Sequence, residues 1–443
     1  MDPASRRSLP FESPLSRLCD PSRPSRLAVQ SLPSSMTPRK KILMVAYACH
    51  PEGGGEHWLG WGWAMAAKRH HDVWLLTPAN NVEPISRHAA EAGIQVSFVT
   101  LPAWQKSFCG LLGGAGSWLR KYLWQFQALR KARELHRTVS FDLVHQTTFH
   151  TFRIPFACSR LGVPSVWGPI AGGESVPKGF DRFLGSDAGK ERSRAWANRL
   201  CLWIPGVRSS LGRCAALLVS NRTTINFLPA TDRPRCILMP ANAVSPRDAA
   251  TPPRERTTQG GRLELIYVGN CVSRRALPIV FEALREFRPD EVRLRVVGNG
   301  EALEAWKQEA TRLEVQNRVE FTGGVDADTV RRYYDEADAL AFPSLRDSGG
   351  SALLEAMTRG LPVICLDWGG PAEMVDEHSG IRMPVNDPDD TVARLVAALR
   401  RLKAEPEWGR QLAAAARERA LTLYTWEGKG AALDTIYNRI LQP

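Results

Sequence analysis

Two things are missing from this 443-residue chain: long apolar runs and paired-cysteine spacings. No stretch approaches the ~20 apolar residues that span a bilayer, so any contact with a membrane has to be made along its surface. Residues 1–40 are rich in Pro, Ser and Arg and lack the apolar core of a secretory signal. They read as a disordered leader. The nine cysteines are odd in number, are scattered from Cys19 to Cys365 and include no C-x-x-C pair. That argues against both a disulfide framework and a zinc site, and reduced thiols in a cytoplasmic setting are the simpler reading. Internal repeats of short period are absent, and so is any aromatic-basic module for nucleic acid.

What is present fits two globular domains. The length exceeds one ordinary domain, and a 44% hydrophobic fraction can fill two cores. The formal net charge is +12, which favours anionic partners such as nucleotide phosphates or acidic lipid headgroups. Continuous apolar runs begin at Ile42, Val73, Val96, Leu143, Ser165 and Ala216, with helical patterns between them. A second series begins at Leu263, Val292, Val319, Ala339 and Val363. Runs of this kind suit strands buried on both faces, and their alternation with helices implies βαβ units and parallel sheets. The expected fold is therefore α/β, with two doubly wound, Rossmann-like domains facing across a cleft. The expected layout is a first domain at 41–244, a Pro- and Gly-containing linker at 245–261, a second domain at 262–425 and a C-terminal helix at 426–443 with a path back to the first domain. Open sheets of this type bind ligands at the carboxyl ends of their strands.

Two segments stand out in the first half. Residues 117–137 carry Trp118, Leu119, Tyr122, Leu123 and Phe126 at helical spacing among Arg and Lys, which suits either a membrane interface or an ordinary crossover helix. Residues 179–211 form a long, basic, Trp-bearing insertion, read as an acceptor-side or membrane-facing element.

The richest stretch runs from Tyr334 to Met357. A buried strand ends at Pro343-Ser344, a turn carries Asp347, Ser348, Gly349 and Gly350, and a helix opens near Ser351. Free amides at a helix start form a diphosphate site, and glycines let phosphates approach the backbone. Asp347 and Glu355 flank it, and carboxylates suit sugar and ribose hydroxyls. Gly369-Gly370-Pro371-Ala372-Glu373 follows.

This ordered set resembles the signature of glycosyltransferase family 4, the group 1 glycosyltransferases, which are retaining enzymes of GT-B fold. The resemblance runs from Leu263 to about Tyr424. Its E-x7-E pattern is present as Asp347-x7-Glu355, with Asp at the first position. The resemblance implies that Asp347 contacts the donor sugar, Glu355 the ribose, and Ser348, Gly349, Gly350 and Ser351 the diphosphate, with Glu373 a further donor-side acid. Gly269 opens a loop in which Asn270 replaces the family's Arg and Arg275 its Lys, with Arg274 adjacent. Gly298 and Gly323 lie at turns beside the nucleotide. In the first half, Phe141 to His150 matches a strand whose histidines face the donor, which makes His145 and His150 candidates, although Thr147 takes the usual second position. The loop Gly53, Gly54, Gly55, Glu56 and the later Glu174 fall on the acceptor side.

The implied activity is metal-independent sugar transfer from a nucleotide-sugar co-substrate. No other cofactor is expected, and neither is nucleic acid. Asp326-x-Asp328 and Asp389-Asp390 read as helix caps and not as metal ligands. The 14 tryptophans and the basic first half point to a lipid-linked or polysaccharide acceptor, with peripheral contact at the inner face of a membrane. The departures at Asn270 and Thr147 leave open a catalytically weak, sugar-binding member of a polysaccharide assembly system, or a GT-B epimerase.

Overall fold

The interior strands are covered on both faces: five of the six residues of β1 (Lys41–Ala46) are buried, as are all six of β5 (Ser165–Ile170) and of β4 (Leu143–Thr148), whose last four positions, His145 to Thr148, are buried polar residues. In the computed structural model, which describes residues 38–252 and 261–442, these strands join β2 (Asp72–Pro78), β3 (Gln95–Val99), β6 (Ala216–Val219) and β7 (Cys236–Leu238) in one parallel sheet of order β3-β2-β1-β4-β5-β6-β7. Ile42 lies between Val73 and Leu143, which fixes the register at the centre. Most of the expected leader and part of the expected linker (253–260) lie outside the described residues.

The second sheet contains β8 (Leu263–Val268), β9 (Val292–Val297), β10 (Val319–Gly323), β11 (Ala339–Phe342), β12 (Val363–Leu366) and β13 (Gly380–Met383), in the order β10-β9-β8-β11-β12-β13. Both sheets reverse their strand order once, between β1 and β4 and between β8 and β11. Each reversal opens a crevice beyond the carboxyl ends of the strands.

Each half lends an element to the other. Phe180, Phe183 and Leu184, at the start of the 179–211 insertion, pack with Tyr267, Leu277 and Phe281 in the core of the second sheet. That segment is thus partly an interdomain wedge and not wholly a loop on the acceptor side. In return, the last helix, Trp426–Leu441, buries Trp426, Leu433, Ile436 and Tyr437 against Leu59, Trp63 and Met44 of the first half. The Trp426 ring meets Trp58 and Trp63 edge-on, with centroids 5.4 and 5.5 Å away. The expected linker also gains structure. The Ser245 hydroxyl caps the short helix Pro246–Ala250, and Arg247 pairs with Asp328 at 2.8 Å.

Eight cysteines are free among the described residues. Burial pushes the thiols of Cys49, Cys158, Cys214, Cys236 and Cys365 up to about 12.

Gly62 lies in the helix Glu56–Lys68, where a Cβ would come within 2.0 Å of the Trp426 ring. Gly62→Ala should therefore lower stability by about 1–3 kcal/mol in chemical denaturation, as overpacking does. Gly54→Ala, which meets nothing within 4 Å, should stay within about 0.5 kcal/mol of the parent.

Candidate functional site

The carboxyl ends of β8, β9 and β10 converge through glycine turns. The Gly298 amide donates to the Gly323 carbonyl at 2.9 Å, and the Gly269 amide to Val297 at 3.0 Å. A Cβ at Gly298 would lie 2.0 Å from the Gly269 carbonyl oxygen, so only glycine allows these loops to stack. Beyond β11 the chain turns through Asp347–Gly350 into the helix Ser351–Thr358, whose first turn no side chain caps. Gly370 supports that turn: its amide donates to the Asp347 carbonyl at 2.8 Å, and a Cβ there would stand 2.1 Å from Ser348. The uncapped amides keep the positive end of the helix available to an anion.

Arg275 and Asp347 meet here as a buried ion pair. The guanidinium lies 4.7 Å from the Phe342 ring centroid, and burial lowers Arg275 to about 10. Asp347 also accepts from the Gly349 amide at 3.1 Å. Arg274 points inward, donating to the Arg346 carbonyl at 2.9 Å, and Arg346 grips Glu191 of the insertion at 2.7 and 2.8 Å.

A cavity of about 370 Å³ separates this turn from the first half. Its second-half wall is Arg274, Arg346, Asp347 and Ser348. First-half residues complete the lining, among them Glu56, Trp118, Lys121, His150, Arg153, Glu174 and Arg194. Glu56 lies 3.4 Å from His150 Nδ1 and accepts from the His150 amide at 3.3 Å. Burial pushes the Glu56 carboxyl up, but the hydrogen bonds and charge of His150 outweigh it and hold the acid below its ordinary value. His150 Nε2 is buried and has no hydrogen-bond partner. The dyad thus fixes the ring and leaves one nitrogen uncommitted.

Residues 251–419 match the family Glycosyl transferases group 1. The match falls on the half of the chain that holds the second sheet. Among curated relatives, the chain is 31% identical over 197 residues to a GDP-mannose-dependent alpha-(1-6)-phosphatidylinositol monomannoside mannosyltransferase of Mycolicibacterium smegmatis, covering 42% of this chain and 50% of that protein. It is 29% identical over 184 residues to a D-inositol 3-phosphate glycosyltransferase of Streptomyces bingchenggensis, covering 39% of each. The chain thus spans half or less of the length of these relatives. In architecture it is similar to a glycosyltransferase from Rickettsia africae, with TM-score 0.61, 14% identity and coverage of 92% of this chain and 100% of that one. It is also similar to Anabaena HepE in complex with UDP and glucose, with TM-score 0.57, 15% identity and coverage of 90% and 100%. The fold is GT-B: two Rossmann-like domains across a cleft.

The two halves distribute the candidate residues unevenly. Asp347, Ser348, Arg274, Glu56, Glu174 and His150 line the cavity. Gly349, Gly350 and Ser351 follow at the helix start, with Arg275 behind Asp347. The loop Gly53, Gly54 and Gly55 leads into Glu56 without lining the cavity itself. His145 needs correction. It is fully buried, with Nδ1 2.5 Å from the Tyr437 hydroxyl and Nε2 donating to the Gly168 carbonyl at 2.8 Å. Burial lowers it to about 4, so it is a neutral core histidine that ties the last helix to the first sheet. Glu373 also differs. Its carboxylate accepts from the Arg222 amide and guanidinium, both at 3.0 Å, and so bridges the two domains. Asn270 is exposed, and only its carbonyl is engaged, by the Tyr267 hydroxyl at 2.8 Å.

Glu355 lies away from the cavity, where it accepts from the Tyr334 hydroxyl at 3.2 Å. Arg153 and Arg194 escaped sequence reasoning, because no motif surrounds them and only the fold brings them to the cavity. Burial, then the charge of Asp248, raises the Glu355 carboxyl above its ordinary value. The folded state therefore holds this proton more tightly than the unfolded state. The associated stability is present below about pH 4 and lost as the pH rises through the folded value. Glu355→Gln should accordingly melt higher than the parent at pH 8, with the difference vanishing near pH 4. A parent that melts higher at pH 8 would contradict the burial account.

Proposed function

We propose that the chain transfers a sugar from a nucleotide-sugar donor to a lipid-linked or other glycan acceptor, with retention and without a metal. The supporting observation is the cavity lined by both Asp347–Ser348 and the Glu56–His150 dyad, with Arg275 and the uncapped helix start adjoining Asp347 and Ser348. The donor diphosphate lies against the amides of Gly349, Gly350 and Ser351, and Arg275 turns from Asp347 to the phosphate. Asp347, released, accepts from the hydroxyls of the donor sugar, and Glu355 from those of the ribose. As the bond to the anomeric carbon breaks, negative charge builds on the leaving diphosphate, and Arg275 and the helix dipole stabilise it. The acceptor hydroxyl approaches the same face of the sugar, and its proton passes to the leaving phosphate oxygen. His150 Nε2 holds a sugar hydroxyl in the cavity. Interdomain closure excludes water.

An acceptor drawn from a membrane surface suits the outer face of the first half. The helices Ala103–Leu111 and Gly113–Val139 pack together and expose Trp104, Phe108, Leu111 and Trp118, with Lys106 and Arg120 among them. Trp118 also lines the cavity. No helix among the described residues is long and apolar enough to cross a membrane. Surface insertion of this apolar face, aided by the basic residues, supplies binding. The mannosyltransferase named above acts on a phosphatidylinositol derivative, which is itself a lipid.

Arg275→Ala should reduce kcat about 10²–10³-fold in a transfer assay with UDP- and GDP-sugars, as removal of a transition-state charge contact does. Glu355→Ala should abolish transfer while the fold persists by circular dichroism. Chelators should leave the rate unchanged, and NMR of the product should show the donor's anomeric configuration; inversion would sink the mechanism. Trp104→Ser with Leu111→Ser should weaken sedimentation with anionic vesicles about tenfold or more, in line with the apolar area withdrawn.

A further inference from the structure

The charges around the cavity do not balance. Its carboxylates are already engaged: Glu56 by His150, Asp347 by Arg275, and Glu174 by the Gly172 amide at 2.9 Å, Asn221 at 2.6 Å and Thr224 at 3.1 Å. Glu191, behind the wall, is occupied by Arg346. Arg153 and Arg194 remain on the first-half side. Arg153 Nε and Nη2 are buried and have no hydrogen-bond partner. Arg194 Nη1 reaches only a neutral acceptor, the Glu174 backbone carbonyl, at 3.2 Å. Burial, then the positive charge of Arg346, lowers Arg194 to about 10. Burial also lowers Arg153, against Cys201 and with Arg346 adding to it; the charges of Glu174 and Glu191 oppose the shift of both arginines without cancelling it. A guanidinium stays charged at any pH the protein meets, so strain of this kind is relieved by an anion and not by proton loss.

We propose that Arg153 and Arg194 form a binding site for a phosphate group carried by the acceptor, separate from the site of the donor diphosphate. Two guanidiniums present forked donors that match the oxygens of a phosphate. Their position favours the acceptor as its source. Both belong to the first half and flank Gly172–Glu174. The diphosphate site, at Gly349–Ser351 and Arg275, lies in the other half. Trp118, which belongs to the exposed aromatic face, lines the same cavity as these arginines. A phosphate anchored here holds the acceptor by a charged group remote from the reacting hydroxyl. Remote contacts of that kind supply the binding energy that orients the reacting centre. The assignment rests on the sugar-transfer reading above.

Inorganic phosphate, UDP and GDP, titrated calorimetrically into the full chain, test it. Phosphate should bind alone and with equal strength when a saturating nucleoside diphosphate is present. Arg153→Gln and Arg194→Gln should each weaken phosphate about tenfold, as loss of a charge-assisted hydrogen bond does, and leave the nucleotide within about twofold. Arg153→Lys, which keeps the charge but not the fork, should fall between. Competition between phosphate and nucleotide in the parent chain would assign the arginines to the donor and overturn the proposal, and this reading needs no variant to fold. Absence of phosphate binding to the parent up to roughly 10 mM would overturn it as well. Failure of both nucleotides to bind, with phosphate binding intact, would instead strike the donor reading.

Discussion

The geometry of the cleft depends on a reciprocal exchange of buried aromatics between the two halves. The wedge Phe180–Leu184 sits in the core beneath β8, and the last helix sits on the first sheet through Trp426 and Tyr437. Rings of this size dominate core energetics, so each half draws part of its stability from residues that belong, by chain order, to the other. Polar ties complete the seam: Arg222 to Glu373, Arg346 to Glu191, and the Trp368 indole to the Ser175 carbonyl at 2.7 Å. Every cavity residue is held relative to this seam. Glu174 follows β5 at one end of the tie from Ser175, and Arg346 and Asp347 follow β11 at another. Opening the cleft means exchanging these ties: Arg222 is more than half exposed and lets go cheaply, whereas the Arg346–Glu191 pair is largely buried and must find new partners.

Within that frame the unliganded site satisfies itself. Arg275 and Asp347 neutralise one another where a diphosphate and a sugar would separate them. In the proposed transfer each would gain a substitute partner in the donor, exchanging one charged contact for two and leaving neither ion stranded. The Glu56–His150 pair does the reverse. It commits one ring nitrogen and leaves the other without a partner, which is how a histidine is kept oriented for a hydroxyl.

The sequence disclosed the sheets far better than it disclosed the cavity. Interior strands such as β1, apolar from Ile42 on, and β12 are continuous apolar runs and were legible. The edge strands β7 and β13 were not. They have three and four residues, and only partial burial, so their composition carries little of the core's demand. The turn at Asp347–Ser351 was readable because its glycines and the helix start follow one another in sequence. His145 was misleading because a strand-end histidine looks the same whether it faces a ligand or the Tyr437 hydroxyl over 290 residues away. Arg153 and Arg194 are more than 40 positions apart, and no local pattern announces that packing of the insertion brings both to one wall.

The sulfur chemistry follows from the same dense packing. Five thiols held near 12 carry almost no thiolate at neutral pH, and the thiolate is the form that oxidants and alkylating agents attack. Those positions are therefore chemically silent while the cores stay closed. With Cys19, Cys109, Cys201 and Cys271 replaced by Ser, a single cysteine introduced on each side of the cleft would carry a spin or fluorescent label, and the distance between the two labels would report directly how the halves move.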